Sequence, residues 1–339
     1  MGTNDAWLSG LDEEIIEPDL PICDPHHHLW GHREGAIEPR YLLEELGADI
    51  DTGHNIVSTV FVEAKAMYRA HGPEPMKAVG EIEFVNGVAA MSASGLYGKT
   101  RVAAGIIGAT DLDVGEPAGE VLDEMIAAAP DRFRGIRCSA TWDPDPAVRQ
   151  HRRAPEHRMM SEGHRAGVAE LGKRGLIYEA WCFHTQIPEL TDLARALPDV
   201  DIVLDHLGGP IGIGGAYEGR RDEIMEEWKR ALADLAACSN VSVKLGGIFM
   251  EVNGFGWHQR PGPPTSDELA EAARPYFEYA IDRFGPDRAM FESNFPVEKI
   301  STGYKVLWNA FKKAARGYSP LEKAKLFRDT ATRVYGIGV

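Results

Sequence analysis

Cysteine is scarce in this 339-residue chain. Cys23, Cys138, Cys182 and Cys238 lie far apart with no C-x-x-C pair. That spacing argues against a zinc knuckle or a disulfide framework and predicts reduced thiols, mostly buried. Basic charge is also short: 36 Lys plus Arg face 52 Asp plus Glu, a formal net charge of −16. Such a surface repels phosphate backbones and anionic lipid, so neither nucleic acid nor a membrane is an expected partner. No hydrophobic run approaches the length of a membrane span, and the opening "MGTNDAWLSGLDEEIIEPDL" is acidic where a signal peptide would be basic and then apolar. A cytoplasmic location and a small-molecule substrate are the expectations, with homo-oligomerisation open. Repeats and low-complexity tracts are lacking too, and 44% hydrophobic with 26% charged residues is the composition of a packed globular core.

What the chain has is a recurring pattern. Eight short β-branched and apolar runs, Ile22 to Trp30, Ile56 to Lys65, Arg101 to Thr110, Phe133 to Trp142, Leu176 to Gln186, Asp201 to Gly209, Val241 to Phe249 and Asp287 to Val297, alternate with longer segments. Several of those segments have helical spacing, among them "PAGEVLDEMIAAA", "IPELTDLARAL", "RDEIMEEWKRALADLAA" and "TSDELAEAARPYFEYAIDRF". Thr265 and Glu268 are placed as a capping box for the last of these. Two more helices, at Gly303 to Ala315 and from Ser319 to a stop at Gly336, close the chain. Eight β-α units predict a single-domain (β/α)8 TIM barrel over residues 1–339, with 1–20 as an N-terminal extension. A doubly wound open sheet is the rival, because periodicity does not distinguish closure from openness. Long polar connections after the fourth, sixth and seventh runs are expected to wall the C-terminal mouth. Pro25, lacking an N–H, is expected to loosen the first strand near His26.

The stretch "ICDPHHHLW" places three histidines at that rim. On an extended segment Asp24, His26 and His28 share one face and His27 the other, so two imidazoles can converge on one ion or one substrate oxygen. His184 ("CFHTQ") and His206 ("LDHLGG") end the fifth and sixth runs, and four histidines then fall where barrel strands open into the same mouth. His32, His54, His71, His151, His157, His164 and His258 fall in helices or loops and read as surface residues.

The motifs "DPHHHLW", "YEAWCFHTQIPEL", "VLDHLGGP" and "FESNFPVEK", spread over nearly the whole chain, resemble the amidohydrolase superfamily. The branch they resemble is that of TIM-barrel hydrolases including sugar lactonases and 2-pyrone-4,6-dicarboxylate lactonase. The resemblance implies that His26 and His28 are first-strand metal or substrate ligands, that His184 and His206 are the fifth- and sixth-strand histidines, and that zinc or manganese is the candidate metal, with His26, His28 and His184 as ligands. One departure stands out. The family's last strand usually presents an aspartate, whereas this chain reads Ser293-Asn294-Phe295-Pro296. An amide can position water but cannot act as a general base, and the loss of an anionic ligand lowers metal affinity.

The base must then lie elsewhere. His206 is the first choice, because imidazole titrates near neutral pH and alternation puts Asp205 on the opposite face. Glu292 is the second, on the face of Asn294 and about 6–7 Å deeper. Lys244, Arg137 and Glu63 form either an ion-pair layer in the barrel floor or a cradle for a substrate carboxylate, bidentate if Arg137 holds it. Trp30, Trp142, Trp181 and Trp257 fall at strand ends or in long loops, where lining a pocket and packing a core or lid are both open; Trp30 is the one taken as a substrate contact. The glycine cluster Gly208 to Gly215 lacks the spacing of a phosphate loop, and Ser293 lacks a nucleophile elbow. These residues predict a hydrolase that opens a carboxylated or hydroxylated lactone, with His206 or His184 assisting water and Asn294 orienting it. A decarboxylase on the same barrel is the alternative, and a non-catalytic small-molecule-binding barrel a more distant one.

Overall fold

The computed structural model describes residues 4–148 and 154–338. His151 and the middle of the loop after the fourth strand lie outside them. Eight strands are formed: β1 (Ile22–His27), β2 (Ile56–Val62), β3 (Arg101–Gly108), β4 (Phe133–Ser139), β5 (Ile177–Trp181), β6 (Ile202–Leu204), β7 (Val241–Leu245) and β8 (Ala289–Phe291). Each pairs with the next in parallel. The ring is closed by the segment after β8, where Phe295 bridges His27, the Asn294 N–H donates to the His26 carbonyl at 2.9 Å and the His28 N–H donates to the Phe295 carbonyl at 2.8 Å. The fold is a (β/α)8 barrel, and the open-sheet rival is set aside.

The expected helices form at Ala118–Ala128, Ile187–Ala196, Arg221–Ala236, Ser266–Phe284 and Tyr304–Ala314. Thr265 caps its helix as expected, accepting from the Glu268 N–H, while Glu268 reaches back to the Thr265 N–H. The strands are shorter than the apolar runs because each run continues into the rim that carries the chemistry. All four cysteines are free and buried. Among the described residues no helix is long and apolar enough to cross a membrane.

Side chains alternate along each strand, and this stacks the barrel interior in layers. Ile177, Val203 and Met290 form an apolar lower layer, closed from the chain's end by Ala331, Tyr335 and Ile337. Glu179 and Lys244 on β5 and β7, with Asp205 and Glu292 just past the ends of β6 and β8, are fully buried and form a charged layer above it. Tyr335 reaches up from the apolar layer to donate its hydroxyl to Glu179 Oε1 at 2.5 Å.

Two of the histidines read as surface residues are structural. His164 is fully buried, bridging Asp113 at 2.8 Å and the Tyr178 hydroxyl at 3.0 Å. His54 is buried against the Lys305 carbonyl and the Lys312 ammonium. Helix Glu162–Gly172 buries His164 where the polar sequence reads as loop.

Candidate active site

Pro25 interrupts the ladder, and the β1–β2 register shifts between Asp24 and His27. That shift separates Asp24 from the histidines. Its carboxylate is spent on structure, accepting from the Ser293 N–H and hydroxyl at 2.9 and 2.6 Å and from the Tyr304 hydroxyl at 2.9 Å. Asp24 thus ties the first strand to the segment that closes the ring and holds Ser293 away from the pocket.

His26 sits in the charged layer. Its Nδ1 lies 2.6 Å from Glu292 Oε2 and 3.1 Å from Lys244 Nζ, and its Nε2 lies 3.1 Å from Arg137 Nη1. Lys244 and Arg137 only donate while a carboxylate only accepts, so Nε2 accepts from Arg137 and Nδ1 lies between a donor, Lys244, and an acceptor, Glu292. Glu292 serves a second histidine with its other oxygen, accepting from His206 Nδ1 at 2.7 Å. The two imidazoles stand 4.6 Å apart, with Trp181 packed edge-on 4.7 Å from His206.

Alternation fails at β6, and the failure builds the site. His206 and Leu207 adopt left-handed backbone conformations, with φ of 54° and 58°. Asp205 and His206 therefore both turn into the barrel, where alternation alone puts them on opposite faces. Gly247 makes room on β7's side: a Cβ there would lie 2.1 Å from His206 Nδ1.

Around these groups the ion pairs interlock. Lys244 Nζ lies 2.8 Å from Glu179 Oε2 and 3.1 Å from Asp205 Oδ1, and Arg137 donates to Glu63 Oε1 at 3.0 Å and to the Glu63 carbonyl at 2.8 Å. Burial acts to raise Asp205, but Lys244, His206 and Arg137 together hold it below the usual carboxylate value. Burial pushes Glu179 up against the pull of Lys244. The sequence points to Lys244, Arg137 and Glu63 as floor or cradle, and the structure places Lys244 and Arg137 against His26 itself, with Glu63 paired to Arg137. The sequence did not single out Glu179, whose only signal was the alternation of "LIYEAW".

His28 faces the other wall, its Nδ1 2.8 Å from the Val62 carbonyl and its Nε2 3.3 Å from the Asn294 side-chain amide. Trp30 stacks 6.3 Å from His28 and donates to the Glu38 carbonyl. His184 stands apart from this cluster. Its Nδ1 accepts from the Ile211 N–H at 3.3 Å, its ring meets Tyr217 edge-on at 5.8 Å, and its buried Nε2 has no hydrogen-bond partner.

His28, Trp30, Trp181, His206, Arg137 and Asn294 line a cavity of about 100 Å³. Through Arg137 and Ser139 it adjoins a cleft of about 820 Å³ walled by Tyr68, Met76, Val114, Pro117 and Val121. The smaller cavity suits a reacting ring, and the cleft suits what the ring carries.

The donor set fits a divalent cation. His26, Asp205 and His206 each offer a ligand atom within 4.8 Å of the others, the one such group among the described residues. Both Asp205 oxygens lack a hydrogen bond. The carboxyls of Glu63, Glu179, Asp205 and Glu292 outnumber the fixed cations Lys244 and Arg137 by two, a deficit that two protons or one dication would fill. An ion at His26 Nε2 would have to displace Arg137. His28 and His184, ligands implied by the resemblance, lie outside the group.

Burial also makes the site a determinant of pH stability. It holds His27 near 3 and His54 and His184 near 4, and it depresses His26 and His28 well below the usual histidine value. Below about pH 6.5 the unfolded chain protonates all five while the fold does not. Four acids oppose this, because burial raises Asp24 to about 6, Glu298 to about 8 and both Glu179 and Asp49 upward. Five outweigh four, so stability falls as pH falls from about 6.5. Above it the histidines are neutral in both states and the raised acids dominate, so stability also falls as pH rises towards 8. Urea midpoints of chelated protein at pH 5, 6.5 and 8 should peak at the middle value; a steady rise across the series would contradict this account.

Known proteins share both the sequence and the fold. The chain is 34% identical over 337 residues, 94% of its length, to the uncharacterised y4mH protein of Sinorhizobium fredii, 99% of which is covered. It is 24% identical to the L-fucono-1,5-lactonase of Burkholderia ambifaria, over 93% of this chain and 95% of that protein. An amidohydrolase from Burkholderia multivorans solved with bound zinc superposes with a TM-score of 0.71 at 22% identity, covering 94% of this chain and 99% of that one. A 5-carboxyvanillate decarboxylase from Novosphingobium aromaticivorans, solved with manganese, superposes at 0.60 with 12% identity, covering 94% and 97%. At those identities the two structures bear on the barrel and not on its chemistry. The amidohydrolase family model matches residues 23–337, a span that opens beside the "DPHHHLW" motif and takes in all eight strand ends, and on that match the chain is an enzyme of the amidohydrolase family.

Proposed function

We propose that this enzyme opens a lactone by attack of water on the ring carbonyl. The observation that carries the reading is the His206–Glu292 pair on the cavity wall. Glu292 accepts the Nδ1 proton at 2.7 Å, which leaves His206 Nε2 as the bare nitrogen able to take a proton from water. Arg137 lines the same cavity and supplies N–H donors where the carbonyl oxygen gains charge. Protonated His206 then returns its proton to the leaving ring oxygen. A divalent cation held by His26, Asp205 and His206 would take the His206 Nε2 lone pair and would supply a Lewis acid for that carbonyl in place of the His206 base. The lactonase name of the Burkholderia relative supports the choice of a cyclic ester. The apolar cleft favours lactones with a substituent over the bare ring.

Proton release from a panel of carboxylated, hydroxylated and alkyl-substituted lactones tests the reaction. Stoichiometric ring opening is expected. Carbon dioxide release without ring opening would overturn the reading in favour of decarboxylation, and ligand binding without turnover would overturn catalysis altogether. Metal analysis before and after chelation decides the ion: activity that survives with less than about a tenth of an equivalent of metal assigns the chemistry to His206 and Arg137 alone.

A further inference from the structure

The cleft of about 820 Å³ beside the reacting cavity is large enough for a whole small organic molecule, whereas the cavity of about 100 Å³ takes little more than a ring. What fills the cleft is decided by its wall. Met76 comes from the turn Glu74–Ala78 after β2, Val114 from the turn Leu112–Val114 after β3, Pro117 and Val121 from the start of helix Ala118–Ala128, and Cys138 from β4, with the ring of Tyr68 beside them. Val114 is 51% exposed and Tyr68 36%, so large apolar surface is turned towards water at the edge of the cleft. A cluster of this kind at the edge of a groove that runs into a reactive cavity marks a place for an apolar ligand.

The polar groups of the cleft are spent on one another. Arg158 donates from Nε to both oxygens of Asp113 at 3.0 and 3.1 Å, from Nη2 to the same carboxylate at 2.9 Å and from Nη1 to the Ser139 carbonyl at 2.7 Å. Asp113 also meets His164 Nδ1 at 2.8 Å, and Asp111 accepts from the Asp113 N–H at 3.0 Å. A hydroxylated chain lying here would give up water and find these donors and acceptors already used. An anionic chain fares no better. At the exposed rim Asp111, Glu120 and Glu74, the last paired to Lys77 at 2.6 Å, outnumber Lys65, and Arg137 is held by Glu63.

We propose that this cleft is the subsite for an uncharged apolar arm, so that the substrate is a lactone whose ring carries an alkyl or arylalkyl chain in place of hydroxyls or a second carboxylate. Arg137 and Ser139 line both spaces and mark the neck between them. With the ring in the smaller cavity, the arm leaves past Ser139 and lies between Met76 on one wall and Val114 and Val121 on the other, which makes these three the residues that set specificity. The ring's chemistry rests on the hydrolase reading above; the recognition of the arm does not.

Two series of compounds test this on the whole chain. The first is δ-valerolactone and its propyl and pentyl derivatives, substituted at the carbon that bears the ring oxygen. Here kcat/KM should rise about three- to fourfold per methylene, and a carboxylate at the end of the pentyl arm should lower it about tenfold or more. The second is cyclohexanone with the same arms, which cannot be hydrolysed, and calorimetric dissociation constants should fall with arm length in the same way. Val114→Trp, a change at an exposed position, narrows the cleft and should cut the pentyl-to-bare ratio of kcat/KM about tenfold, moving the optimum to the propyl arm; Met76→Ser should lower the same ratio by a similar factor. Lactone turnover that ignores arm length, that favours the carboxylated arm, or whose pentyl-to-bare ratio neither variant moves would overturn the subsite and leave the hydrolase reading standing. Ketone binding that follows arm length, with no lactone opened, would overturn the hydrolase reading and leave the subsite standing.

Discussion

Replacing His206 by alanine should lower kcat for lactone opening by about 10²–10⁴-fold, the range that a positioned general base contributes. The loss should fall on kcat, because the cavity is also walled by His28, Trp30, Trp181, Arg137 and Asn294, which the substitution leaves in place. The ring does not hold the fold together: it makes one side-chain hydrogen bond, to Glu292, and lies 4.6 Å from His26 and 4.7 Å from Trp181. Glu292→Gln should come close to the same loss by another route. Two imidazole nitrogens approach Glu292, at 2.6 and 2.7 Å, and an amide has one accepting oxygen where a carboxylate has two. One histidine would face an NH₂ group and turn or change tautomer. Initial rates by proton release, with urea midpoints to confirm folding, check both variants. A His206→Ala enzyme within about tenfold of wild type would remove His206 as base and shift the role to Glu292 or Asp205.

The barrel was legible in the sequence because its cause is local. Each strand is a short β-branched run, and each is followed by an apolar 3.6-residue period that must pack back onto the sheet. The mouth histidines were legible for the same reason, as residues at the ends of those runs. What was not legible depended on backbone geometry or on partners distant in sequence. Asp205 was assigned to the wrong face because two successive left-handed residues after β6 break the alternation, and nothing in "LDHLGG" other than its glycines signals that turn. Asp24 was grouped with His26 because the register shift at Pro25 takes effect only when β1 pairs with β2. Glu179 and Tyr335, 156 residues apart, meet inside the cylinder, a contact that only closure of the barrel creates. His164 looked like a polar loop residue until helix Glu162–Gly172 buried it beside Tyr178.

The largest effect on stability should come from Lys244. Its ammonium is fully buried, 2.8 Å from Glu179 and 3.1 Å from Asp205, and it is held above its usual value by those carboxylates, with Glu292 adding to them, against the opposing effect of burial. Lys244→Met fills similar volume without charge. It would leave Asp205, Glu179 and Glu292 with Arg137, itself paired to Glu63, as the remaining fixed cation. Removing one partner of a buried ion pair costs about 3–5 kcal/mol, a large share of the roughly 5–15 kcal/mol that holds a folded domain together. Urea unfolding at pH 7 should register that loss, and adding Glu179→Gln to Lys244→Met should recover part of it, because the double variant removes a negative charge along with the positive one. Zinc should separate the two ways the layer can balance its charge. If His26, Asp205 and His206 take up a dication, zinc should stabilise Lys244→Met more than wild type, since the ion would replace charge the variant has lost. If protons on the carboxyls fill the deficit instead, Lys244→Met should unfold early at pH 8, recover towards pH 6 and respond to zinc no more than wild type does.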